Sequence, residues 1–168
     1  MKLAAFEAVA KALNAAQVRY LVVGGLAVNA HGYIRLTADI DLVIRLDAGN
    51  IRQTFQALAG IGYRPTVPID ADGFAMPEKR QRWQEEKGMQ VLNFYSDAFR
   101  GTSVDVFVHE PFDFEQEYDL ALQGELLPGI YVRFVSIPTL IRMKQTAGRP
   151  RDLDDIQHLE RLQENSDE

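Results

Sequence analysis

The chain is 168 residues long, 46% apolar and 25% charged, the proportions of an ordinary globular protein with room for one domain around a real core. Its formal net charge of −6 disfavours general nucleic-acid binding, because non-specific affinity for a phosphate backbone comes from Lys and Arg. The chain has no cysteine, which excludes disulfides, thiolate chemistry and Cys-based zinc sites. It also lacks an apolar run of eighteen residues, so no transmembrane helix is expected. A cytoplasmic protein without membrane contact is the simplest expectation. An RNA acceptor held by a local patch stays open: Lys79, Arg80 and Arg82 cluster beside Trp83, and Lys144, Arg149 and Arg151 form a second basic group.

Leu3, Phe6, Val9, Ala10, Leu13 and Ala16 recur at helical spacing and predict a first helix over 3–16. Glu7 and Lys11 interrupt its apolar run, so it reads as an amphipathic helix rather than a signal peptide. Residues 18–23 (VRYLVV) predict a strand that stops at Gly24-Gly25. A short helix over 26–31 follows, and Gly32 ends it. Residues 39–46 (DIDLVIRL) begin with the alternation of a half-buried strand. Asp47 is then the expected N-cap of a helix carrying Ile51, Phe55 and Leu58. The segment 63–88 is polar and holds Pro65, Pro68 and Pro77; it is expected to be a long loop with a short helix or hairpin. Strands over 89–95 and 104–108, a helix over 114–122 and a hairpin turning at Pro128-Gly129 come next. Ser136 is a candidate cap for a helix with Pro138 in its first turn. A last helix is expected over 152–163, with the terminal ENSDE frayed.

The chemistry-bearing stretch is Gly24-Gly25, then Asp39-Ile40-Asp41, then Asp105 between Val104 and Val106. Residues two apart on a strand share a face, so Asp39 and Asp41 present their carboxylates together while Ile40 turns to the core. Adjacent carboxylates repel and are costly to bury. A hard divalent cation resolves both problems, and Mg²⁺ needs only two or three of them because water and substrate phosphates complete its shell. Strand–Gly–Gly–helix suits a phosphate group, since glycine permits close backbone approach and the helix presents its N–H groups. Arg35 and Thr37 lie just ahead of the carboxylates, and Arg35 is placed to neutralise phosphate charge. His31 reads as a structural residue within reach of the substrate; His109 and His158 lack zinc-ligand spacing. Trp83 reads as a packing residue, with stacking on a base the alternative.

Gly24-Gly25, Arg35 and Thr37-Ala38-Asp39-Ile40-Asp41 resemble the first motif of the nucleotidyltransferase superfamily. Residues 136–159 (SIPTLIRMKQTAGRPRDLDDIQHL) are similar to the later motifs of its AbiEii-type toxin branch from type IV toxin–antitoxin systems. The resemblance implies an α/β (α+β) nucleotidyltransferase fold: a mixed sheet flanked by helices, with further C-terminal helices, forming a single domain over 1–168 with its core at about 18–160. It implies that Asp39, Asp41 and Asp105 are catalytic and bind Mg²⁺, two ions being expected, with Mn²⁺ as the substitute. Asp105 would also take the acceptor's proton. Gly24, Gly25, Arg35, Thr37, Lys144 and Asp152 would surround the nucleotide, and Asp155 matches a later acidic position of the branch. Lys144 is otherwise a solvated helix lysine, and Arg149 and Arg151 serve equally well as NTP ligands or as partners of Asp152 and Asp154. Gly25 departs from the Ser common in the wider superfamily, which removes a hydroxyl from the phosphate site.

The activity implied is Mg²⁺-dependent transfer of a nucleoside monophosphate from an NTP, such as ATP, to a hydroxyl acceptor: RNA, protein or small molecule. As a toxin, the protein would have a cognate antitoxin. The alternatives are an antibiotic-type transferase acting on a small hydroxylated compound, and a non-catalytic nucleotide-binding or antitoxin-like protein of the same fold.

Overall fold

The computed structural model describes residues 1–168. Helix α1 (Leu3–Ala15) leads into β1 (Tyr20–Val23), and α2 (Gly24–Ala30) starts at the glycine pair itself. Strand β2 (Ile40–Ile44) alternates Asp41 with the fully buried Ile40 and Leu42. Helix α3 (Ala48–Gly60) is capped as expected, the Asp47 carboxylate accepting from Asn50 N–H.

The segment 63–88 holds more order than its composition suggested. It contains β3 (Arg64–Pro65), α4 (Ala71–Phe74) and the eleven-residue α5 (Pro77–Lys87). Helix α5 is polar around its circumference, so no apolar period marks it; Pro77 at its first turn and Gly88 at φ 61° are its only local signals. Strands β4 (Val91–Tyr95) and β5 (Val104–Phe107) follow, then α6 (Phe114–Leu120) and the hairpin β6 (Leu122–Leu127) and β7 (Ile130–Phe134).

Two C-terminal helices, α7 (Ile137–Ala147) and α8 (Pro150–Ser166), complete the chain. Ser136 precedes α7 but does not cap it with its side chain: its hydroxyl donates to Glu117 at 2.9 Å. The expected fraying at the end is also corrected, because α8 runs on to Ser166, whose hydroxyl donates back to Leu162 C=O.

The seven strands form one mixed sheet in the order β3-β4-β5-β2-β1-β7-β6. β1 pairs antiparallel with β2 and parallel with β7, and β2 pairs parallel with β5. All four residues of β1 are buried, so both faces of the sheet are covered at its centre. A single apolar cluster runs from Phe6 on α1 through the central strands to Leu159 on α8. No helix is long and apolar enough to cross a membrane.

Candidate active site

The site begins with a strand register. Asp41 on β2 stands opposite Asp105 on β5, and Asp105 stands opposite Asn93 on β4. Laterally paired residues point to the same face with their strands about 4.8 Å apart, so Asp41, Asp105 and Asn93 form one row across the sheet. Val104 and Val106, of opposite parity, are fully buried beneath it. Asp39 occupies the bend just before β2. Its carboxylate accepts from the Ser103 hydroxyl at 2.8 Å, and Ile40 N–H donates to Ser103 C=O. Asn93 donates its amide N–H to Asp105 at 2.6 Å.

The glycine pair is required by packing against this row. Gly24 has φ 67°, and a Cβ there would lie 2.1 Å from Asp41 Oδ2. A Cβ on Gly25 would lie 2.4 Å from Thr37 Oγ1. The bare backbone at the start of α2 therefore lets the Asp41 carboxylate and the Thr37 hydroxyl lie directly against it.

The carboxylates are electrostatically frustrated. Burial, then the charges of Asp105 and Asp39, push Asp41 up to about 7, and Lys144 and Arg149 offset this only in part. Asp105 is also raised, first by burial, with the Asn93 bond opposing and Asp39 reinforcing. Asp39 and Asp105 each hold a side-chain hydrogen bond, whereas Asp41 accepts none from the protein.

Facing the row is a second cluster at the α7–α8 corner. Lys144 is buried, with its ammonium 2.9 Å from Asp155 and 3.3 Å from Asp152. Arg35 forks onto both Asp155 oxygens at 2.7 Å. Arg149 binds Asp152 through its backbone N–H and its Nε. Burial alone would raise Asp155, but Arg35 and Lys144 outweigh it and hold the carboxylate below its ordinary range. Burial opposes Asp152 in the same way, and Arg149 and Lys144 bring it below that range. Three cations against two carboxylates leave the cluster one net positive charge. Between cluster and row lies a cavity of about 120 Å³ bounded by Gly24, Asp41, Phe107, Lys144, Arg149 and Asp152.

This architecture has counterparts among solved structures. ANT(2″)-Ia, in complex with adenylyl-2″-tobramycin, superposes with TM-score 0.58 at 13% identity, covering 96% of this chain and 92% of that one. The lincosamide antibiotic adenylyltransferase LnuA, lincomycin-bound, superposes with TM-score 0.55 at 16% identity, covering 89% and 90%. The chain has the nucleotidyltransferase fold. An antigenic nucleotidyltransferase-like protein from Paracoccidioides brasiliensis also shares it, at TM-score 0.50 and 21% identity, over 89% of this chain and 71% of that one. No protein-family model matches the sequence, and no curated protein matches it either. The narrower likeness to AbiEii-type toxins rests on residues 136–159 alone.

Within this nucleotidyltransferase fold, the residues singled out in the sequence divide into two groups. Asp39, Asp41, Asp105, Gly24, Gly25 and Thr37 gather at the C-terminal end of β1 and the start of β2. Lys144 and Asp152 face them across the cavity. Arg35 has a structural role that its sequence position did not announce: three of its N–H groups go to Asp155 and to Leu36 C=O, so it pins α8 to the loop before β2, while its Nη1 lies beside Gly25. Lys144 is no solvated lysine, and Arg149, with a side chain 72% exposed, is the cation of the cluster with most freedom to move. His31 is structural, bonded through Nε2 to Val135 C=O. Asn93 and Ser103 carried no signal of their own in the sequence; the register of β4 against β5 brings Asn93 to Asp105, and the pairing of β5 with β2 brings Ser103 to Asp39.

The donor set fits a hard cation in one respect and leaves it incomplete in another. Asp41 is a half-buried carboxylate with no hydrogen-bond partner and two like charges beside it, the environment a divalent ion neutralises. No three carboxyl or imidazole groups converge into a closed cage, however: Asp39 and Asp105 turn towards Ser103 and Asn93. An ion here would take the rest of its shell from water and phosphate, as Mg²⁺ does.

Proposed function

We propose that this protein transfers a nucleoside monophosphate from an NTP to a hydroxyl acceptor, with Asp39, Asp41 and Asp105 as the acidic centre. The observation that carries the proposal is Asp41: half-buried, unpartnered, in register with Asp105 and pressed against the glycine that opens α2. A carboxylate kept in that state is destabilising by itself, and a cation would relieve it. Mg²⁺ held at Asp41, with water and phosphate completing its shell, would neutralise charge on the phosphates and acidify the attacking hydroxyl.

The chain's own groups supply the rest. The α2 backbone at Gly24-Gly25 approaches the triphosphate without side chains in the way. Lys144 and Arg149, on the opposite wall of the cavity, provide positive charge towards the leaving phosphates. Asn93 fixes the Asp105 carboxylate, which receives the acceptor's proton. The acceptor oxygen bonds to the α-phosphorus, the bond to the β-phosphate bridging oxygen breaks, and pyrophosphate leaves with that electron pair.

A small hydroxylated acceptor is favoured over RNA or protein by the net charge of −6 and by likeness, along nearly the whole chain, to two structures holding antibiotic-derived ligands. A toxin role with a cognate antitoxin rests only on the resemblance of residues 136–159.

The test is transfer of label from α-labelled ATP in the presence of Mg²⁺ and candidate acceptors. Asp41→Asn and Asp105→Asn should each lower the rate about 10³-fold or more, since each removes several kcal/mol of transition-state stabilisation. Turnover by Asp41→Asn near the wild-type rate would sink the assignment.

A further inference from the structure

A cavity of about 570 Å³ lies beside the carboxylate row and shares Asn93 with it. This volume falls in the range of sites for small organic ligands. Its walls come from the segment before α5, from α5 itself and from β4. Val67, Ile69, Trp83 and Met89 are apolar, and Lys87 is the one charged residue on its lining. No carboxylate lines it. Asn93 lines the cavity, and its side-chain amide donates to Asp105 at 2.6 Å.

We propose that this cavity receives the acceptor, and that the acceptor is a small hydroxylated compound with a flat apolar body and a neutral or anionic polar group. This inference rests on the transferase reading above, to which it adds the acceptor's chemical class. The position follows from continuity: a molecule lying against Trp83 and Val67 with its hydroxyl at Asn93 presents that hydroxyl to Asp105. The apolar body follows from the walls, where a flat group gains burial and stacking against the indole. The charge follows from Lys87 without an opposing carboxylate, which attracts an anion and repels a polycation. An extended polyanion such as RNA is disfavoured because its affinity needs many cations along its path, and the cavity offers one.

Trp83 is the only tryptophan in the chain, so its fluorescence reports occupancy of this cavity without any need for turnover. Two phenols of matched size and opposite charge, 4-hydroxyphenylacetate and tyramine, serve as probes, with single-stranded poly(U) as a third. The anionic phenol should perturb Trp83 saturably, at a concentration at least tenfold below that needed for tyramine. Lys87→Glu should erase or invert that preference; Lys87 is exposed on α5, so the variant is expected to fold. In the presence of Mg²⁺ and labelled ATP, the anionic phenol should acquire label on its hydroxyl. Tyramine binding as tightly as the anion would overturn the charge assignment, and saturation by poly(U) alone would overturn the small-molecule assignment. Transfer to some other acceptor with Trp83 unperturbed defeats the cavity but leaves the transferase standing. Saturable binding of the phenol with no ATP turnover under any condition defeats the transferase reading instead.

Discussion

Asp41 is where function and stability pull hardest against each other. Its carboxyl is pushed up to about 7 by burial and by Asp105 and Asp39, so between about pH 4 and pH 7 the folded chain holds a proton that the unfolded chain has released. Stability of the metal-free protein therefore falls as pH rises through that window, by up to ~4 kcal/mol from this group. Asp152 and Asp155, held low by their cations, act in the opposite sense, and their contribution is lost only as pH drops below about 4. Asp41→Asn should flatten the fall between pH 4 and pH 7 and raise the metal-free denaturation midpoint while removing activity. Urea unfolding at pH 5 and pH 7 measures it; a variant less stable than wild type at pH 7 would show that the carboxylate is not strained there. Gly24→Ala tests the same contact from the other side. The new methyl would have to occupy the position 2.1 Å from Asp41 Oδ2 at a φ of 67°, so the carboxylate must move. A loss of about 1–3 kcal/mol in stability together with a large fall in kcat is expected, whereas Gly129→Ala, also at positive φ but with nothing within 4 Å, should leave kcat intact.

Among the elements, those with local signatures were legible in the sequence and those made by long-range pairing were not. The strand–Gly-Gly–helix unit, the Asp47 cap and the alternation around Asp39-Ile40-Asp41 are written within a few residues of each other, and the structure has them. The placement of Asp105 beside Asp41 depends on β2 and β5 pairing in parallel across 64 positions, Ser103 to Asp39 among them; strand alternation gives the face but not the neighbour. For the segment of α5 the sequence predicts no more than a short helix or hairpin within a long loop, because a helix whose one buried residue is Arg80 has no apolar stripe to read. The Arg35–Asp155 ion pair is illegible for a related reason: the two residues are 120 positions apart, and nothing near Arg35 advertises its partner. That ion pair is what attaches α8 to the loop carrying the acidic motif. Removing one partner of a buried, paired group costs about 3–5 kcal/mol, so Asp155→Ala should destabilise the chain by that amount, leaving Arg35 and Lys144 short of a carboxylate. Arg149→Ala, with an exposed guanidinium, should cost far less in thermal denaturation yet raise KM for ATP; a large loss of stability in Arg149→Ala would mean that the residue is structural.

For the whole molecule, the acidic row and the basic α7–α8 corner face each other across a small cavity without touching, and one core supports both. A fold arranged this way is less stable empty than it would be with both sides neutralised by one ligand. A species carrying positive charge towards Asp41 and negative charge towards Lys144 and Arg149 meets that demand, and Mg²⁺-ATP has this polarity. At a free concentration 100 times its dissociation constant, such a ligand stabilises by about 2.7 kcal/mol, which for a chain of this size is a rise of roughly 5–10 °C in Tm. Neither ATP without divalent ion nor Mg²⁺ without ATP supplies both charges, so each alone should give a much smaller shift. The same linkage predicts a crossover in Asp41→Asn: a higher Tm than wild type when empty, and little or no rise when Mg²⁺-ATP is added. Thermal denaturation of the two proteins with and without Mg²⁺-ATP at pH 8, where the wild-type carboxylate is ionised, separates these outcomes. An equal ligand-induced rise in both would mean that nucleotide binds elsewhere and that the strain at Asp41 serves no cation.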